Sequence, residues 1–231
     1  MDQKNKNVKR NKRTFRLKRN QNIKNEQMEN VDIKKKFKNV WDDNSKKIIR
    51  TMIKDVVDVF YKNNDITFIF YGSLLGCARS GKIIPWDGDV DFFVSYKNQP
   101  NKSFDDLVSM GYKLRGSAEG CRRIYKEDGL ANDKGWTWPW IDFYIYDICG
   151  DDVNFLSSVN KVFYTSKYEY VFPLKKCFFE EIEVCVPFVI EQHLDKIYPD
   201  WKNTYESPKI DHKMASRNKK LVRIPINQIK T

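Results

Sequence analysis

Asp87, Asp89 and Asp91 alternate along the chain into an apolar stretch, Val90 to Ser95. Fifteen residues before Asp87, Gly72-Ser73 closes another such stretch, Ile66 to Tyr71 (ITFIFY). Few folds accept that combination. Continuous runs of β-branched and aromatic residues suit buried strands. In extended backbone a spacing of two puts side chains on one face, with about 6–7 Å between alternate Cα atoms. Carboxylates so placed can share divalent ions about 3.5–4 Å apart. Mg²⁺ commonly takes one or two carboxylates and completes its shell with substrate phosphate. A calcium loop of the EF-hand type fails, because its required Gly and Glu fall on Phe92 and Asn98 when counted from Asp87. Joined to a Gly-Ser turn, the acidic strand points to phosphoryl-group chemistry.

The flanking pattern assigns elements to these parts. Apolar residues at Ile48, Ile49, Met52, Ile53, Val56, Val57 and Phe60 follow helical spacing between Trp41 and Tyr61, behind Asp42, Asp43 and Asn44 as N-cap candidates. Asn63-Asn64-Asp65 breaks that helix. A strand over 66–71 then leads into Gly72-Ser73, Leu74 to Arg79 forms a short helix ended by Ser80-Gly81, and Val90 to Ser95 is a second strand. Ser103 is read as the cap of a helix through Met110. Strands are expected at Arg122 to Lys126, at Trp140 to Ile148 and less regularly between Val162 and Val186, before a last helix, Phe188 to Tyr198, stopped by Pro199.

On this frame Gly72 lets backbone approach a phosphate, and Ser73 adds a hydroxyl where the next helix presents unpaired N–H groups to an anion. Arg79 and Lys82, on the connection to the acidic strand, can neutralise phosphate oxygens. Trp86 beside them is a further substrate-binding candidate. A third carboxylate has to complete a two-metal site or act as general base. Asp142 in WPWIDFYIYD is the best placed, because it interrupts an apolar strand where an unpaired charge is costly. Asp147 lies near the strand's end, where solvation is easy. Catalysis is thus expected at Asp89, Asp91 and Asp142, with metal on the same three and Asp87 as a further candidate ligand. The Trp136 to Trp140 block either packs as core or offers faces for a cytosine or a quaternary ammonium. Arg122 and Arg123 can meet donor phosphate or an acidic acceptor, and His193 reads as a core residue.

Charge is confined to one end. Residues 1–50 hold 17 Lys/Arg against 6 Asp/Glu, and the remainder holds 25 of each, so the formal +11 belongs to the leader. The leader reads as a disordered basic tail over 1–40. Such a tail solvates the chain, binds an anionic partner such as nucleic acid or a membrane surface through counterion release, or serves as a targeting address. A domain over 41–206 and a loosely attached basic tail over 207–231 complete the expected organisation. Five cysteines without a C-x-x-C pair, and two histidines, argue against a disulfide framework and a tetrahedral zinc site. With neither an apolar span nor a secretory h-region in evidence, the expectation is a cytoplasmic protein with no membrane span.

Tyr71 to Val94, YGSLLGCARSGKIIPWDGDVDFFV, resembles the LicD/fukutin-related family of nucleotidyltransferase-fold enzymes. That family's pattern runs aromatic-Gly-(Thr/Ser)-Leu-Leu-Gly, then Arg, then Ile-Pro-Trp-Asp-Asp-Asp-Ile-Asp. Trp140-Ile141-Asp142-Phe143 is similar to its Trp-Ile-Asp-Ile-Phe segment, and Tyr198-Pro199-Asp200-Trp201 to its late Tyr-Gly-Asp-Trp. The resemblance spans roughly residues 60 to 205. It implies an α/β (α+β) fold, a nucleotidyltransferase-like mixed sheet with packed helices. It also implies metal on Asp89 and Asp91, a third carboxylate at Asp142, donor phosphates steadied by Gly72-Ser73, and Mg²⁺ or Mn²⁺ as cofactor. Family members transfer phosphocholine or ribitol phosphate from a CDP-linked alcohol donor to a glycan acceptor, so the expected reaction is attack of a hydroxyl on the donor phosphate with CMP leaving. The chain departs from the family at Gly88, where another Asp is common. Two alternatives stand beside this reading: a nucleotidyltransferase acting on RNA, protein or a small molecule, and a catalytically silent binding protein of the same fold.

Overall fold

Asp42 opens the first long helix. In the computed structural model its carboxylate accepts from the Ser45 backbone N–H at 2.8 Å, and the Ser45 hydroxyl accepts from the Asp42 N–H at 3.0 Å, a reciprocal cap. The structure describes residues 33–95, 97, 101–116, 120–132, 135–156, 162–208, 210–211, 216–217 and 221–229. The chain divides into a short unit, 1–38, and a large one, 39–231. Of the first, residues 33–38 are described and hold one helical turn, in which the Phe37 N–H donates to the Ile33 carbonyl. The leader expected to be flexible lies, up to residue 32, outside the described residues.

In the large unit, helix α1 (Asp43–Lys62) buries Ile49, Met52, Ile53, Val56, Val59 and Phe60 along one stripe. At roughly 1.5–3 kcal/mol per buried side chain, those six contribute on the order of 9–18 kcal/mol before chain entropy is subtracted. The stripe covers one face of a mixed sheet: β1 (Thr67–Ile69), β2 (Val90–Ser95), β3 (Lys113–Gly116), β4 (Arg122–Ala131), β5 (Thr137–Cys149), β6 (Asp152–Leu156) and β7 (Val162–Lys167). The path runs β1-β2-β5-β4-β3, and β6 joins the far end of β5 and carries β7. Among the described strands of this sheet only β2 and β5 pair in parallel; β1, β3, β4, β6 and β7 are antiparallel to their neighbours. Phe92 and Phe143 meet Phe60 and Phe104 on the α1 face, where Phe104 belongs to helix α3 (Asn101–Ser109).

Alternate residues of β2 and β5 point to the other face. There Phe93 packs with Phe70, Phe155 and Tyr144, beneath helices α2 (Tyr71–Ser80) and α5 (Ile190–Ile197). Between them the chain makes a short helix, α4 (Tyr168–Val171), and a hairpin of β8 (Lys175–Phe179) with β9 (Ile182–Val186).

Several expectations move. Helix α2 starts at Tyr71 rather than Leu74, so Gly72 and Ser73 lie in its first turn. Ser103 does not cap α3; it sits inside the helix, buried, with its hydroxyl donating to Asp65 at 2.5 Å. Strand β6 falls between two expected runs and is too short to stand out. Of the stretch 207–231, read as a loose tail, the described residues 207 and 221–225 pack back on the domain. There β13 (Arg223–Pro225) pairs with β10 (Thr204–Glu206), Ile224 is buried, and the Ser207 N–H donates to the Val222 carbonyl. Two shorter strands, β11 (Ile210–Asp211) and β12 (Ser216–Arg217), pair with each other.

Candidate active site

Sheet register gathers the site. Asp91 on β2 is the partner of Asp142 on β5, and Asp142 is the partner of Arg123 on β4, so these three stand in a row across adjacent strands. Strands lie about 4.8 Å apart and residues in register share a face, which brings both carboxylates and the guanidinium together. Asp89, one step before β2, closes the group: carboxylate oxygens of Asp89, Asp91 and Asp142 lie within 4.8 Å of one another, all buried.

Arg123 grips Asp142 from both sides of its fork. Nε donates to Oδ1 and Nη2 to Oδ2, each at 2.7 Å, while the guanidinium lies over the rings of Trp140 at 4.1 Å and Trp136 at 5.1 Å. Burial pulls the Arg123 pKa down, and the Asp142 hydrogen bonds and charge raise it on balance. One guanidinium thus faces three carboxyl groups. Burial first, then the charges of Asp89, Asp142 and Asp87, raise the Asp91 carboxyl well above the usual carboxylate range, with Arg123 opposing. The donor set is hard oxygen, suited to Mg²⁺ or Mn²⁺ rather than a soft ion, and a divalent cation would relieve the repulsion that lifts Asp91. The triad can hold such an ion.

The turn ahead of the triad is pinned by two indoles. Trp41 Nε1–H donates to the Asp87 carbonyl and Trp138 Nε1–H to the Gly88 carbonyl, each at 2.6 Å, with the rings 4.8 Å apart. Gly88 in turn donates its N–H to the Asp87 carboxylate at 3.1 Å. Gly72 leaves room for the Asp87 carboxylate in its present place: a Cβ there would lie 1.8 Å from Asp87 Oδ2. Ser73 serves the strand, its hydroxyl accepting from the Asp91 N–H at 2.9 Å. Tyr71, between Phe70 and Gly72, takes a positive φ of 45°, an uncommon conformation for an aromatic residue.

A cavity of about 480 Å³ opens on Asp87, Asp89 and Asp91. Its walls are Tyr71, Gly72 and Leu75 of α2, Tyr144, Phe163, Tyr164, Tyr198 and Trp86, with Arg79 and Lys196 as cations and Glu206 on the β10 side. Burial, then the Asp91 charge, raises the Tyr71 and Tyr144 phenols, so both stay protonated donors. Arg79 Nη2 donates to the Trp201 and Thr204 carbonyls at 2.5 and 2.6 Å, yet its Nε is buried with no hydrogen-bond partner among the described residues.

Of the residues singled out from sequence, Asp87, Asp89, Asp91, Gly72, Arg79 and Trp86 line this cavity, and Asp142 and Ser73 brace it from behind. Lys82 does neither: it pairs with Glu181 at 2.9 Å, away from the cavity lining. Asp147 is likewise elsewhere, 3.8 Å from Lys97. Arg122 lies over Phe104, and His193 packs among Phe70, Phe155 and Tyr164 as core. Of the Trp136 to Trp140 block, Trp136 and Trp140 pack over Arg123 and Trp138 pins the Gly88 carbonyl. Sequence reasoning missed the tyrosine walls. Tyr144 stands two residues after Asp142 on one strand, so the period of two could have found it.

A family model described as LicD/FKTN/FKRP, nucleotidyltransferase domain, matches residues 64–189. Two curated relatives are uncharacterized proteins of Rickettsia. One, from Rickettsia typhi, is 27% identical over 155 residues, covering 65% of this chain and 45% of the relative. The other, from Rickettsia prowazekii, is 26% identical over 155 residues, covering 65% and 53%. The chain thus spans about half the length of the curated relatives it matches. Among solved structures it is similar to the lincosamide antibiotic adenylyltransferase LnuA, lincomycin-bound, with a TM-score of 0.41 and 12% identity over 57% of this chain and 75% of that one. A second is ANT(2")-Ia in complex with adenylyl-2"-tobramycin, with a TM-score of 0.41 and 12% identity over 65% of this chain and 79% of the other.

Proposed function

The chain belongs to the LicD/FKTN/FKRP family of nucleotidyltransferase domains, and from that premise we propose that it is a metal-dependent phosphotransferase. It moves a phospho-alcohol, of phosphocholine or ribitol-phosphate type, from a CDP-linked donor to a glycan hydroxyl. The observation that carries this reading is the pairing of the Asp89, Asp91 and Asp142 cluster with a cavity whose walls are largely aromatic and whose lining includes the cations Arg79 and Lys196.

Asp89 and Asp91 would hold the divalent ion, Asp142 completing the oxygen set. When bound, the ion neutralises donor phosphate oxygens and makes phosphorus more open to attack. The protein does the positioning. Arg79, with a buried N–H lacking a partner, and Lys196 offer charge-assisted bonds to the diphosphate. Tyr71, Tyr144 and Tyr198 enclose the organic part of the donor and exclude water. The acceptor oxygen bonds to phosphorus, the bond from phosphorus to CMP breaks, and the hydroxyl proton passes to a carboxylate. Asp142 is held by Arg123 at both oxygens and does not line the cavity, whereas Asp87 does, so we assign the proton to Asp87. Among the described residues no helix is long and apolar enough to cross a membrane.

The test is a thermal-shift panel of CDP-choline, CDP-ribitol and nucleoside triphosphates with Mn²⁺, on wild type and on Asp89→Asn/Asp91→Asn, followed by CMP release with glycan acceptors. A ligand at 100 times its Kd adds about 2.7 kcal/mol, or roughly 5–11 °C for a domain of this size. That shift, confined to CDP-alcohols and absent in the double variant, supports the proposal. A response to nucleoside triphosphates alone, with pyrophosphate released, would replace it with nucleotidyl transfer, and no response to any of them with a silent fold.

A further inference from the structure

We infer that Cys77 and Cys177 form a reversible disulfide that staples the back of the pocket helix α2 to the β8–β9 hairpin. Their Sγ atoms are 2.8 Å apart although the residues are 100 positions apart in sequence. That is inside the ~3.5–4.0 Å at which non-bonded heavy atoms settle, and a small closure reaches the bonded distance of about 2.05 Å.

The two sulfurs are held facing each other by a frame that does not depend on them. The Glu180 N–H donates to the Gly81 carbonyl at 2.8 Å, and the Glu180 carboxylate accepts from the Ile83 N–H at 2.9 Å. The hairpin turn is fixed further by Glu181, which pairs with Arg50 at 2.6 Å and Lys82 at 2.9 Å. No other cysteine competes for the position. Cys185 is the cross-strand partner of Lys176, not of Cys177, so it points to the opposite face of the hairpin. Cys149 is exposed at the end of β5.

Access differs between the two thiols. Cys77 is buried, and burial, then its contact with Cys177, pushes its pKa up; Cys177 is partly exposed. Oxidation by a low-molecular-weight disulfide such as oxidised glutathione therefore starts at Cys177. Its thiolate attacks one sulfur of the oxidant, forms a mixed disulfide and releases one reduced thiol. Cys77 then attacks the Cys177 sulfur, expels the second reduced thiol and loses its proton. Two protein thiols are oxidised and one small disulfide is reduced to two thiols.

Leu75 and Arg79 line the cavity from one face of α2, and Cys77 stands about 200° around the helix from Leu75. The bond thus forms behind the pocket, constraining the helix that carries Gly72 and Ser73 without entering the site.

The experiment equilibrates the full chain in glutathione buffers of rising oxidised fraction, alkylates free thiols, maps peptides and records melting curves. Expected are a loss of two hydrogens from the intact mass, a linked Cys77–Cys177 peptide with Cys121, Cys149 and Cys185 alkylated, and a melting temperature raised by roughly 4–16 °C. Dithiothreitol reverses all three. Cys177→Ser abolishes the link and the shift, and Cys185→Ser keeps both. A stable glutathione adduct on Cys177 with no internal bond, or alkylation of both thiols at every oxidised fraction, overturns the inference, as does a shift that survives in Cys177→Ser. None of these readouts requires nucleotide or acceptor, so their failure is distinct from failure of the proposed transfer reaction.

Discussion

Replacing Arg123 by Met keeps most of the side chain's volume and removes the cation that pairs directly with Asp142 in the acidic row. Asp142 would then lose both of its 2.7 Å hydrogen bonds while remaining buried beside Asp89 and Asp91. Removing one partner of a buried ion pair costs about 3–5 kcal/mol. Because the Arg123 side chain is 24% exposed against 4% for Asp142, water reaches one end of the pair and the lower figure applies, about 3 kcal/mol. For a domain of this size that is a fall in Tm of roughly 6–12 °C. Urea unfolding in chelator measures it. Asp142→Asn added to Arg123→Met should restore a large part of the loss, with a coupling of about 1–3 kcal/mol in the double-mutant cycle. Mn²⁺ should stabilise Arg123→Met more than wild type, because the ion replaces the missing charge. A loss under about 1 kcal/mol, or strict additivity of the two substitutions, would refute the view that this arginine holds the acidic row together.

Gly72→Ala should fold with little loss of Tm, because the Asp87 carboxylate can rotate away from the new methyl, yet lose Mn²⁺-dependent stabilisation by donor; retention of that response would remove Asp87 from the site. Ser73→Ala deletes the hydroxyl that accepts from the buried Asp91 N–H and should cost about 1–3 kcal/mol in urea unfolding. Burial lowers His193 to about 4 from 6.5. Between those values the unfolded chain carries the extra proton, so stability is full above about 6.5 and falls as pH drops towards about 4. His193→Phe should flatten that part of a urea-midpoint profile, and an unchanged slope would assign the acid sensitivity to other groups.

What was legible in the sequence is what local pattern encodes. The stripe and cap of α1, the bounds of β2 and the left-handed stop at Gly81 all follow from spacing and residue type within a few positions. The acidic cluster was legible as well, because a lone Asp in the apolar run of β5 has to be compensated. Its compensator was not. Whether Arg122 or Arg123 meets Asp142 depends on the register of β4 against β5, and a slip of one residue exchanges them. Lys82 shows the converse: a flexible cation on a connection has many reachable partners, and Glu181, 99 positions away, takes it. The return of β13 to β10 is equally non-local, since nothing near Arg223–Pro225 marks it as a partner of 204–206.

The two indole bonds to the Asp87 and Gly88 carbonyls come from positions 46 residues before and 50 residues after. The Trp41 clasp closes only once the chain before α1 has docked, and the Trp138 clasp only once strand β5 has. The acidic turn is therefore expected to take its shape late in folding, after both distant segments have docked, and the cation site with it. A site completed that late predicts that added Mn²⁺ leaves the refolding limb of a chevron unchanged and slows the unfolding limb; a faster refolding limb would place the turn in the transition state.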